Sequence, residues 1–376
     1  MNILINASNL KAGGGLQVAD SICRELYKYP HHQFVVVLSS FFLKTKEAIN
    51  SFPNVKNVLT YNVKNNISTL LFGRDSFLDN VIRENKVEIV LTVFGPSRWN
   101  PKCLHLSGVA IPYLVLPESP YFQRLSKLDF IKSKLHIFLW WVYFKRSTKF
   151  FYTENSFISS RVEKLFVGSN VYTVTNYYNQ VFDNPHLWVE KRLPKFNGIT
   201  LLDIASYYPH KNMEISIDIA RYLIEKYPGF NFRFVFTTDK NKFPSLDSNL
   251  ESHFLFIGKV NIDECPSLYQ QSDIAFQPSL LECFTATYPE AMIMRKPIVT
   301  TNLPFAQGPC GDAAVYFYPL SAEQAAEQIY EISTNKLLQN QLIENGIEQL
   351  NKFDSYHKRA DKLIDILEKI VRERNN

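Results

Sequence analysis

Near three-quarters of the way along the chain, the stretch LLECFTATYPEAM (280–292) holds two glutamates, Glu282 and Glu290, separated by seven residues. An ionised carboxylate accepts hydrogen bonds and donates none, so such a pair suits a ligand rich in hydroxyls, a sugar or a ribose. The two residues are not equivalent. Thr287 stands three positions before Glu290, the spacing of a helix cap whose Glu returns the bond, and Pro289 is tolerated early in a helix. Glu290 thus has a local reason to exist without a ligand. Glu282 has none: a carboxylate directly after Leu280-Leu281 needs donors, and ligand hydroxyls would supply them. The intervening amides, Phe284 through Thr287 and including Thr285 and Ala286, are placed to receive a phosphate.

Two further stretches bear chemistry. In YPHKN (208–212), Lys211 can set a point charge against a phosphate, or be a solvated loop lysine. His210 has no partner at metal-ligand spacing. Gly13, Gly14 and Gly15 lie between a strand and a helix, where bare backbone approaches a ligand closely or simply turns. Neither the dinucleotide fingerprint nor the Walker pattern is met.

These residues need a frame. NILINA (2–7), FVVVLS, EIVLTVF near 88–94 and IPYLVLP near 111–117 are apolar runs of the kind a parallel sheet covered on both faces requires. A helical pattern around 76–85 falls among them, and KFFYTEN, ISSRVEKLF and NVYTVTN continue the alternation to about residue 176. Residues 177–198 break the period with two prolines and several asparagines, as a connection does. A second series follows, with strands at 200–205, 232–238, 253–258, 273–277, 296–301 and 313–317. A helix opens at Ser321 with Gln324 at capping-box spacing, and an amphipathic tail runs from Tyr356 with Leu363, Ile364, Leu367, Ile370 and Val371 on one face. The expected architecture is α/β, two Rossmann-like halves with a cleft between them: residues 1–180 completed by a helix at 356–376, a linker at 181–198, and a second domain at 199–355.

Length agrees with two domains: 376 residues exceed a typical single one. A hydrophobic share of 46% and a formal charge of +5 describe a globular protein and give no argument for nucleic acid. Five scattered cysteines form neither a disulfide framework nor a zinc site and fit a reducing compartment. The amino terminus lacks the layout of a secretory signal and reads as a core strand, so a cytoplasmic location is expected, including the inner face of a membrane. IFLWWVYF (137–144) is too short to span a bilayer. Its adjacent tryptophans and basic flanks leave a buried helix and a membrane-surface patch, Ile137–Phe144, as competing readings.

On these residues the chain resembles the retaining nucleotide-sugar glycosyltransferases of family 4, which have the glycosyltransferase-B fold. The likeness is carried by SDIAFQPSLLECFTATYPEAMIMRKPIVTTN, similar to that family's Glu-x7-Glu region, by GDAAVYFYP (311–319), and by YPHKN, similar to a form found in polysaccharide-assembly members. The resemblance implies a metal-independent hexosyltransferase taking a nucleoside diphosphate sugar as donor and needing no further cofactor. Its acceptor would be a saccharide or lipid-linked saccharide in surface polysaccharide biosynthesis. It implies Glu282 at the donor sugar, Glu290 at the ribose and Lys211 on the diphosphate. Phe284, Thr285 and Ala286 would hold the sugar and distal phosphate, and Gly13–Gly15 would face the diphosphate or acceptor.

Three positions depart from the family pattern. Cys283-Phe284-Thr285 replaces Gly-Phe-Gly, which bears on the size of the sugar pocket. The family's arginine a few residues before the lysine would fall in Ala205-Ser206-Tyr207, where none stands. A histidine often found after a first-domain strand is replaced by Glu118, which would bind the acceptor, act as a base, or be an ordinary polar loop residue. A nucleotide-sugar 2-epimerase of the same fold and a non-catalytic carbohydrate-binding assembly protein are the alternatives.

Overall fold

The computed structural model describes residues 1–11, 13–63 and 66–375; Ala12, Lys64, Asn65 and Asn376 lie outside the described residues. Thirteen strands form among the described residues, in two all-parallel sheets. The first sheet holds β1 (Asn2–Ala7), β2 (Gln33–Leu38), β3 (Val55–Thr60), β4 (Ile89–Thr92), β5 (Leu104–Gly108), β6 (Phe150–Thr153) and β7 (Asn170–Thr173), in the order β3-β2-β1-β4-β5-β6-β7. The second holds β8 (Ile199–Asp203), β9 (Phe232–Phe236), β10 (Phe254–Phe256), β11 (Ile274–Gln277), β12 (Ile298–Thr301) and β13 (Ala314–Phe317), in the order β10-β9-β8-β11-β12-β13. In each sheet the chain winds one way and then reverses, between β1 and β4 and between β8 and β11. Such reversals put a crevice at the carboxyl ends of two neighbouring strands, where open parallel sheets hold ligands.

The chain divides into two units. The first comprises Met1–Pro117, Leu125–Asn176 and Asp354–Asn376; the second comprises Glu118–Arg124 and Tyr177–Phe353. In the first, both faces of β1 and β2 are buried, which is why their sequences are continuously apolar. Leu363, Leu367 and Ile370 of the tail helix (Tyr356–Asn375) join that core. The core of the second unit is rich in phenylalanine: Phe232, Phe234, Phe236 and Phe276 are fully buried and in ring contact. Each buried ring contributes about 2 kcal/mol through removal from water.

Several expectations change. Residues 111–117 are not a strand: Pro112 opens a short helix, Pro112–Val115, and the strand in this region is β5, whose histidine and serine hide its periodicity. Residues 181–198, expected as a separate linker, run along the second unit. Val189 N–H donates to the Asp263 carbonyl at 2.8 Å and Lys191 N–H to the Ser267 hydroxyl at 2.8 Å. Ile137–Phe144 lies within the helix Lys127–Ser147; Tyr143 and Phe144 are core residues, whereas Phe138 is exposed. At Ser321 only half of the expected box forms, because Gln324 turns its amide oxygen to Tyr318 N–H, at 2.5 Å.

Candidate functional site

Lys211 and Glu282 reach one another because their turns follow β8 and β11, the strands that flank the reversal in the second sheet. The Lys211 Nζ and a Glu282 carboxylate oxygen are 2.5 Å apart, with 16% and 11% of the side chains exposed. Burial alone would push the Lys211 pKa down, but Glu282 and then Asp203 act against it and the net direction is up. Lys211 is held as a cation in a nearly dry place.

The turn that presents Lys211 is fastened at several points. Pro209 preorganises a short helical turn, Pro209–Lys211, that ends on Asn212 in the left-handed region at φ 56°. Asn212 is 1% exposed; its amide donates to the Pro278 carbonyl at 3.2 Å, while the Leu280 N–H donates to the His210 carbonyl at 2.8 Å. The two loops are therefore laced together on both sides of Lys211. At the end of β12, Thr300 and Thr301 hydroxyls donate to the carbonyls of Gln277 and Ser279, fixing the path into Glu282.

The segment Glu118–Arg124 completes this lacing, and the sequence did not announce it. The buried Ser119 hydroxyl donates to the Leu280 carbonyl at 2.6 Å. Arg124 donates to the Asn212 side-chain oxygen and pairs with Glu214 at 2.7 Å. The arginine missing at 205–207 has thus no replacement within that loop, but a guanidinium from a distant segment braces the same turn. Glu118 is exposed at the start of the segment.

Asp203 is a second residue that sequence reasoning passed over. It ends β8 and is fully buried; burial pushes its pKa to about 7, against the opposing influence of Lys211 and of the Gln277 amide, which donates to it at 3.2 Å. Its position as the one carboxylate in the strand LLD was the available signal. His210, stacked on Tyr208 with ring centroids 5.6 Å apart, is driven down to about 4 mainly by burial and stays neutral.

Glu290 behaves differently from the capping expectation. The helix begins at Thr287 itself, after Ala286, and no side chain caps it. Thr287 shares a hydrogen bond with Thr285 instead, 2.8 Å between hydroxyls. Glu290 is buried, accepts from the Tyr269 hydroxyl at 3.3 Å, and is pushed to about 7 by burial, with the Tyr269 bond opposing. Phe284 packs edge-on against Phe353 with centroids 5.9 Å apart, and Cys283 is buried beside it in sequence.

Gly13–Gly15 belong to the first unit, at its own reversal beside β1 and β4. Gly13 precedes the helix Gly14–Arg24 with φ 74°, and a Cβ on Gly13 or Gly14 would meet nothing within 4 Å. Also in this unit, Glu154 at the end of β6 is fully buried and driven to about 8 by burial, with Arg359 of the tail helix opposing. Among the described residues, no group of His, Cys, Asp and Glu is arranged to hold a metal ion.

Residues 188–349 match the family model described as glycosyl transferases group 1. No curated protein matches the sequence. Among solved structures, sucrose-phosphate synthase from Thermosynechococcus elongatus is similar with a TM-score of 0.70 at 12% identity, over 98% of each chain. A glycosyltransferase from Rickettsia africae is similar with a TM-score of 0.66 at 15% identity, over 98% of each chain. Anabaena HepE, solved with UDP and glucose, is similar with a TM-score of 0.66 at 13% identity, over 98% of this chain and 99% of that one. The chain therefore has the fold of these proteins, glycosyltransferase-B with a Rossmann-like parallel sheet in each unit, and its group 1 match falls on the second.

Proposed function

We propose that the protein is a retaining glycosyltransferase of the family 4 kind, taking a nucleoside diphosphate sugar as donor and a saccharide or lipid-linked saccharide as acceptor in surface polysaccharide assembly. The observation that carries this reading is the Lys211–Glu282 pair at the β8/β11 reversal, with Glu290 buried in the helix that follows the Glu282 loop. A cation for phosphate oxygens and a carboxylate for sugar hydroxyls are wanted side by side where a sugar leaves a diphosphate. Lys211 would neutralise charge that grows on the diphosphate as the glycosidic bond breaks, an effect strongest in a water-poor site. Glu282 would bind the sugar and favour positive charge at the reacting carbon. Glu290 would accept ribose hydroxyls, and the amides of Phe284, Thr285 and Ala286 would take the distal phosphate. Gly13–Gly15, without side chains, would present bare backbone to diphosphate or acceptor, and Glu118 would serve the acceptor. The match to glycosyl transferases group 1 and the likeness to a protein solved with UDP and glucose support this reading.

A thermal-shift panel of UDP, GDP, dTDP, CMP and their sugars, followed by transfer assays, tests it. A specific nucleotide sugar should raise the melting temperature, because a ligand that binds only the folded state stabilises it. Stabilisation by none of the panel, or unaltered transfer by both Lys211→Ala and Glu282→Ala, would refute the assignment.

A further inference from the structure

Large apolar side chains crowd one face of the helix Lys127–Ser147 in the first unit. Leu128, Ile131, Leu135 and Phe138 are 61%, 65%, 60% and 57% exposed, and their spacing of three, four and three sets them on one stripe. Lys127 and Lys134 border the stripe on one side and Lys132 on the other, each within about a quarter turn of it. Asp129, the one acid in this helix sequence, lies outside that border beside Lys132, 3.7 Å from its Nζ in an exposed pair.

Further along the same face, Arg146 lies eleven residues beyond Leu135, about three turns. Its guanidinium donates to the carbonyls of Thr69 at 2.8 Å, Leu70 at 2.9 Å, Leu71 at 3.1 Å and Arg98 at 2.6 Å. Those bonds fix the turn Ser68–Phe72 in a conformation that keeps Leu71 and Phe72 exposed, together with the preceding Ile67. No helix among the described residues is long and apolar enough to cross a membrane.

We propose that this face docks on the surface of an anionic bilayer. The stripe and the turn would lie among headgroups and the first acyl carbons, while Lys127, Lys132 and Lys134 extend sideways to lipid phosphates. Charge placement selects this occupant. Protein interfaces are depleted of lysine at their centres, and a second copy would set lysine borders against lysine borders. A surface of phosphates attracts all three at once, and the exposed Lys132–Asp129 pair is of the kind that holds its charges only weakly.

The experiment is co-sedimentation of the full chain with vesicles of phosphatidylcholine alone and of phosphatidylcholine with equal phosphatidylglycerol. The chain should partition onto the phosphatidylglycerol vesicles only, less so at high salt. Ile131→Ser with Leu135→Ser should weaken partitioning about tenfold or more. Lys127→Gln, Lys132→Gln and Lys134→Gln together should weaken it about a hundredfold, given about fivefold per lysine near an anionic surface. Both variants should keep the wild-type melting temperature. Absence of wild-type binding to the anionic vesicles, or equal binding by wild type and variants, would overturn the proposal. So would a wild-type dimer that the serine variant converts to monomer, which would assign the face to a second copy of the chain.

Discussion

The Tyr269 hydroxyl lies 3.3 Å from a Glu290 carboxylate oxygen, and both side chains are buried in the second unit. Burial pushes Glu290 to about 7, whereas an unfolded glutamate titrates near 4.3. Between those values the folded chain keeps a proton that the unfolded chain has lost, so stability falls as pH rises through this window. Glu290→Gln should remove that slope. Urea unfolding at pH 5 and pH 8 should show the wild type losing up to about 3 kcal/mol more than the variant. Equal slopes in the two proteins would show that Glu290 ionises freely.

Lys211 and Glu282 form one buried ion pair, and a double-mutant cycle measures whether they share one task in transfer. Either single alanine variant should lower transfer by about a hundredfold to a thousandfold, the range for losing one preorganised electrostatic contact. The double variant should be little worse than either single one, because residues that share one task are not additive. Additive losses in kcat would mean that the two contribute separately.

Asn212 supplies both a left-handed backbone and two side-chain bonds. Asn212→Gly keeps the backbone at φ 56° without strain but loses the bonds to Pro278 and Arg124; Asn212→Ala loses the bonds and adds strain. Chemical unfolding should place the alanine variant about 1 kcal/mol below the glycine variant. The reverse order would show that turn strain is not what Asn212 relieves.

Arg124 braces the Lys211 turn through Asn212 and Glu214. A lysine cannot span both partners, because only the guanidinium presents a planar fork. Arg124→Lys should lower kcat/KM for the donor by about tenfold, estimated from the loss of a charge-assisted hydrogen bond. The exposed ion pair itself adds little, so the melting temperature should hardly move. Unchanged kinetics would assign Arg124 to the surface alone.

The parallel sheets were legible because strands covered on both faces are written as unbroken apolar runs, as in FVVVLS and FRFVFTT. β5 was not, since His105 and Ser107 are buried with hydrogen-bond partners or within the sheet and break the apolar signal. Of the candidate site, Lys211 and Glu282 could be marked by residue type and loop position, but their contact depends on β8 lying beside β11, which no local pattern encodes. Arg124, Ser119 and Asp203 stayed hidden for the same reason. Their partners are far away in sequence or become significant only once burial is known. The reading of Glu290 as a helix cap failed because the chain began its helix on the threonine expected to cap it.

The division of the chain also orders its assembly in time. The second unit, apart from Glu118–Arg124, is one uninterrupted run, whereas the first is built from three pieces and draws Leu363, Leu367 and Ile370 into the core around β1 and β2. On a ribosome, which releases a chain from its amino-terminal side, β1 and β2 emerge before the second unit yet wait for the helix Tyr356–Asn375 to cover them. The second unit can be complete while the first still exposes apolar surface, so of the two cores the one begun earlier closes later.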